Sequence, residues 1–146
     1  MMVIRIPQFL ILCGAAVCLA VTSCSKKESM DEIGMEMVVE LEKLPESLKR
    51  FDSSDSEDSR GIEIAEMQML SEALRDLTAR TAEATPMSRE VELAVNKRIK
   101  DVQDEVEFLL VQMQDKPSFV IRCSREIELI SRHVHQLEQL MKPSEE

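Results

Sequence analysis

The chain has 146 residues, a formal net charge of −10 and only 3% aromatic residues. This length suits one domain with a modest core. The acidic surface repels phosphate backbones, and so few aromatic side chains leave almost nothing for bases or sugars to stack on. Three glycines are too few for a phosphate-cradling loop or a turn-rich β fold. We therefore expect neither nucleic acid nor a small-molecule substrate as partner.

The N-terminus has the pattern of an export signal. Arg5 is the single charge in the first 25 residues, and a 13-residue apolar run follows it from Phe9 to Val21. A run of this length is typical of a signal peptide, and it is shorter than the ~20 residues that span a bilayer. Small residues then lead to Cys24.

The tetrapeptide Val21-Thr22-Ser23-Cys24 resembles the lipobox of bacterial lipoproteins. The resemblance implies cleavage of residues 1–23, diacylation of the Cys24 thiol and acylation of its new amino group. Residues 24–28 would then be a short tether. By similarity with enterobacterial lipoproteins, Ser25 in place of Asp favours the periplasmic side of the outer membrane in a Gram-negative cell. The alternatives are an ordinary cleaved signal with an incidental cysteine, and an uncleaved membrane anchor.

Residues 29–142 predict a helical domain, with helices at about 29–50, 61–82, 87–114 and 119–141. The first helix has an apolar stripe with steps of three and four: Met30, Ile33, Met37, Leu41, Leu44, Leu48 and Phe51. Ser29 and Glu32 resemble a capping box at its start, and Pro45 should kink the helix or restart it after Leu44. The acidic, serine-rich residues 51–60 predict a flexible loop.

The second helix has a less regular pattern than the first. Leu70 and Leu74 widen an apolar stripe of five positions: Ile62, Ala65, Met69, Ala73 and Leu77. Thr85 and Pro86 have the sequence of a helix cap and first helical residue. An alternative fuses the second and third helices through a kink at Pro86.

The last two helices have the most regular patterns. The third has apolar residues at Val91, Val95, Ile99, Val102, Val106, Leu109 and Met113. The fourth has them at Val120, Cys123, Ile127, Ile130, Val134, Leu137 and Met141. Alternating steps of three and four are typical of coiled-coil packing. The fold class predicted is all-α, an antiparallel three- or four-helix bundle or coiled coil.

No motif in the sequence predicts catalysis, a metal site or a cofactor. His133 and His135 are two residues apart, which places them about 200° apart on a helix. The two imidazoles therefore cannot bind the same metal ion. Known nucleophile and metalloprotease motifs are missing from the sequence. Cys123 lies on an apolar stripe and predicts a buried thiol, with a disulfide between subunits as the alternative. We expect a protein that is not an enzyme.

The sequence favours an interaction or structural role. We predict a lipoprotein that is held at the membrane by acylated Cys24 and that binds a protein partner or associates with itself. The basic residues Lys97, Arg98 and Lys100 predict either a solvated face or docking against the acidic first helix or an acidic partner.

The alternative function is a periplasmic helical chaperone or a soft-metal-binding stress protein. Residues 77–81 half resemble the Leu-Thr-x-x-Gln repeat of such chaperones, with Thr81 in place of Gln. Met35-x-Met37 and Met67-x-Met69 resemble the methionine pairs that bind Cu(I), although methionine is also an ordinary core residue.

Overall fold

The computed structural model describes residues 27–142, except for the side chains of residues 117–120. The predicted signal, lipobox and Cys24 lie outside the described residues. Within them the chain is all-α and forms a helical bundle, as the apolar periodicity predicted. Its helices are α1 (Met30–Leu41), α2 (Lys43–Ser53), α3 (Glu57–Arg80), α4 (Arg89–Met113) and α5 (Pro117–Met141). None of these helices is long and apolar enough to cross a membrane.

The first predicted helix consists of two helices, α1 and α2, which are joined at Glu42. We call this pair the α1/α2 rod, and count each of α3, α4 and α5 as a further rod of the bundle. All seven predicted stripe residues, from Met30 to Phe51, are buried, so one apolar face continues through the break. Pro45 is the third residue of α2. The first turn of a helix needs no intrahelical partner for its N–H groups, so a proline is tolerated there. The capping box of Ser29 and Glu32 is present, as predicted.

The prediction of a flexible loop over residues 51–60 was wrong. Only residues 54–56 lie between α2 and α3, and Phe51 is buried in the core. The Ser56 side chain accepts a hydrogen bond from the Ser59 N–H at 3.2 Å, and acidic residues fill the first turn of α3. Serine caps and acidic first turns stabilise a helix N-terminus, which explains why this polar stretch is helical.

The predicted core face of α3 was correct at Leu70, Leu74 and Leu77, which are buried, and wrong at Ile62 and Met69. Ile62 and Met69 are 61% and 62% exposed. The buried positions step by four and three along a different face: Glu63, Met67, Leu70, Leu74 and Leu77. Glu63 is tolerated on this face because the Arg50 Nε donates to its carboxylate at 3.0 Å.

The connection between α3 and α4 rules out a continuous helix through Pro86. It comprises a 3₁₀ turn, Thr81–Glu83, and an extended stretch to Ser88. The predicted helix start at Thr85 was wrong: the cap of α4 is Ser88, whose side chain accepts from the Val91 N–H. Thr85 is engaged instead in a parallel β-bridge with Ser29.

Chain direction alternates from rod to rod, as in an up-and-down bundle. Two pairs of packed neighbours are nevertheless parallel. Asp31 accepts from the Ser88 N–H at the start of α4, and Glu42 pairs with Arg98 further along, so α1 and α4 have the same direction.

Helices α3 and α5 form the second parallel pair. Glu57 of α3 pairs with Arg122 of α5, and the Gln68 Nε2 donates to Glu126 at 3.2 Å further along both helices. The two chains therefore have the same direction. This arrangement results because the α3–α4 connection crosses the end of the bundle diagonally. The α1/α2 rod therefore packs against both α3 and α4, while α5 packs mainly against α3.

Candidate interaction site

The backbones of α4 and α5 do not pack closely against each other, although a link of only three residues joins them. Each of these helices instead packs on a different neighbour, α4 on the α1/α2 rod and α5 on α3. The fourth side of the bundle is therefore only partly closed. Val106 and Ile127, two positions of the predicted heptad stripes, are only partly buried because they border this opening.

The opening is an apolar groove of about 240 Å³, which we call the α4/α5 groove. Leu41 and Leu44 of the central rod line it together with both flanking helices. Its walls are aliphatic: Ile99, Val102, Val106 and Leu110 from α4, and Ile127, Ile130 and Val134 from α5. The remaining lining residues are Gln103, Glu107 and Ser131, of which only Glu107 carries a charge.

A larger cleft of about 720 Å³ lies between the α1/α2 rod and α3. Six of its eleven lining residues are charged, and ion pairs such as Lys43 with Glu40 and Arg50 with Glu66 lie along it. A partner would have to desolvate these charges, at a cost that mutual attraction does not always offset. The smaller α4/α5 groove is therefore the better candidate for binding an apolar surface.

The first described residues are fixed to the rest of the domain. The Thr85 N–H donates to the Glu28 carbonyl at 3.0 Å, and the Met30 N–H donates to the Thr85 carbonyl at 2.9 Å. The Arg80 guanidinium pairs with both Glu28 and Glu36, the latter at 2.7 Å. These hydrogen bonds to Arg80 lower the pKa of both carboxyls. The chain is thus anchored in the bundle from Glu28 onward.

The two predicted histidine positions differ in environment. His135 is exposed and lines a pocket of about 330 Å³ with Glu92 and Glu138. His133 is partly buried, and its buried Nδ1 has no hydrogen-bond partner among the described residues. Within residues 27–142 no group of three or more His, Cys, Asp or Glu side chains is placed to hold a metal ion.

Cys123 is a free, fully buried thiol, as its position on the apolar stripe predicted. Burial, with a smaller contribution from the charge of Glu126, raises the pKa of the Cys123 thiol to about 11. The thiol is therefore protonated at neutral pH and shielded from oxidants.

The methionine pairs are each divided between core and surface. Met37 and Met67 are buried, whereas Met35 is 38% and Met69 62% exposed. In each pair the buried member packs in the hydrophobic core, which is the ordinary role of methionine.

The structure divides the basic cluster on α4 between the two predicted roles, docking against the first helix and a solvated face. Arg98 docks against the first predicted helix, with its Nη2 at 2.6 Å from the Glu42 Oε1. Lys97 and Lys100 are exposed. The cluster therefore contributes to packing within the bundle through Arg98 and presents the two lysines to solvent.

Comparison of the chain with protein-family models, with curated proteins and with solved structures finds no significant match. The α4/α5 groove was not predicted from the sequence. Its one signal is the adjacent pair Leu109 and Leu110, which makes the apolar face of α4 wider than one stripe.

Proposed function

We propose that this protein is a bacterial lipoprotein, anchored through acylated Cys24, that binds a partner protein in the α4/α5 groove. The anchor is supported by the resemblance of Val21-Thr22-Ser23-Cys24 to a lipobox. The binding role is supported by one observation above all: α4 and α5 leave an aliphatic groove between them, at which Val106, Leu110 and Ile127 are only partly buried. Self-association through the same groove is the competing arrangement.

The shape of the groove favours an amphipathic helix as the ligand. The groove lies between two antiparallel helices, with the apolar residues Leu41 and Leu44 of a third rod among its lining. A helix placed there would pack its apolar stripe on the partly buried Val106, Leu110 and Ile127 and would lie beside the exposed Gln103 and Ser131. The interaction would resemble the packing that already joins the other rods of the bundle.

Blocking the groove is the direct test of this proposal. Ser131 is exposed at the groove, so Ser131→Arg is expected to obstruct it without disturbing the buried core. Gln136 is exposed on the same helix but does not line the groove, and Gln136→Arg is therefore the matched control. The lipidated protein is cross-linked in its own cells, purified, and its adducts are identified by mass spectrometry.

The expected result is one discrete foreign protein with the wild type and with Gln136→Arg, and its loss with Ser131→Arg. Adducts only between copies of this chain would make it a homo-oligomeric spacer. Many unrelated adducts would favour the chaperone function instead. Equal capture by both variants would contradict the assignment of the groove.

A further inference from the structure

We infer that the bundle stands end-on on the bilayer, with the end formed by Lys27, residues 81–88 and the last turn of α5 against the phospholipid headgroups. We call this the tether end. The inference rests on the proposed acylation of Cys24 and goes further, because it states which surface of the domain faces lipid. The short chain between Cys24 and the first fixed residue sets this orientation.

The tether is too short to let the domain rotate freely. Glu28 is held by the Thr85 N–H and by Arg80, so only Ser25, Lys26 and Lys27 lie between the lipidated residue and the rigid bundle. At 3.3–3.6 Å per extended residue, the four steps from Cys24 to Glu28 span at most ~14 Å. The tether end must therefore remain close to the headgroups.

The tether end includes the C-terminus of α5 as well as the α3–α4 connection. Gly34 is buried, and a side chain there would meet Met87 of the connection and the Sδ of Met141 at 3.3 Å. These contacts join three segments at one end of the bundle. Leu140, which is 51% exposed, is on the last turn of α5 at this end.

The length of the bundle keeps its two ends well apart. Residues 52–58 lie at the opposite end, and a helix the length of α5, 25 residues, holds them ~37 Å from the tether end at 1.5 Å per residue. Both ends carry acids and bases: Glu83, Arg89, Glu90 and Lys142 are exposed near the tether end, and Asp52 and Glu57 pair with Lys116 and Arg122 at the other. The tether length, and not charge, therefore sets the orientation.

The orientation is tested with a fluorophore at either end of the lipidated protein. Ala82→Cys places it at the tether end and Asp55→Cys at the opposite end; both positions are exposed. Cys123→Ala in the background removes the buried thiol, and the acylated Cys24 does not react. Each protein is reconstituted into vesicles of phosphatidylethanolamine and phosphatidylglycerol that include lipid with a nitroxide on its headgroup.

We expect severalfold stronger quenching at position 82 than at position 55. Vesicle flotation and the mass of the purified protein establish acylation separately. An acylated, vesicle-bound protein with equal quenching at the two positions, or stronger quenching at position 55, would overturn the orientation alone. A protein without acyl chains would overturn the orientation and the proposed anchor together.

Discussion

Replacing Met67 by alanine is expected to lower the free energy of unfolding by ~2–5 kcal/mol, the range found for large-to-small changes in protein cores. Met67 is fully buried on the face of α3 that packs into the bundle. Alanine would remove most of its apolar contacts and leave a cavity among well-packed neighbours. A loss of this size is a large part of the ~5–15 kcal/mol that stabilises a typical domain. Urea denaturation followed by circular dichroism measures the change.

Met69→Ala is the matched control, because it is the same substitution two residues along the same helix. Met69 is 62% exposed, so its replacement is expected to change stability by no more than ~0.5 kcal/mol. The pair tests which face of α3 enters the core. Equal effects, or a larger effect at Met69, would mean that α3 has the rotation about its axis that the apolar count alone predicted.

Cys24→Ala is expected to abolish palmitate incorporation and, with it, the contribution of the acyl chains to membrane attachment. Each buried CH₂ of an acyl chain contributes ~0.8 kcal/mol to membrane binding, and two or three chains together hold a protein essentially permanently. None of the described helices could replace that anchor by crossing the bilayer. Two quantities are measured: the labelled palmitate in the protein, and the fraction of the protein that stays in salt-washed membranes.

Cys123→Ala provides the control for the Cys24 variant. Cys123 is buried in the bundle, so its loss is expected to leave palmitate labelling and membrane attachment unchanged. Palmitate that still enters the Cys24→Ala protein undiminished would contradict the lipobox assignment. Labelled protein that is nevertheless washed from membranes by salt would contradict the physical argument for the anchor.

The sequence predicted the fold class and three of the four core faces because those helices have unambiguous apolar stripes. It was only partly correct on α3, where two apolar faces compete. The true core face includes Glu63 and Ser71, which interrupt its apolar pattern, while the exposed face has Ile62 and Met69. Glu63 enters the core only because Arg50 lies on the neighbouring rod. This pairing depends on the tertiary structure, so the sequence of α3 alone does not predict it.

The candidate groove could not be predicted for a related reason. The steps of three and four along α4 and α5 show that each helix has a side to bury, but they do not show against which neighbour. That choice follows from the diagonal α3–α4 connection and from the bridge between Ser29 and Thr85. The polar composition of residues 52–58 likewise led to the wrong prediction of a flexible loop, because Ser56 acts as a helix cap rather than as part of a linker.

The most direct test of a partner helix in the α4/α5 groove is site-specific photo-cross-linking in living cells. A benzophenone amino acid replaces Gln103, which lines the groove, or the adjacent Asp104, which is exposed and outside it. We predict a discrete adduct from position 103, lost on Ser131→Arg, and none from position 104. Identical adducts from both positions, or none from position 103 in a folded, membrane-bound protein, would contradict the account.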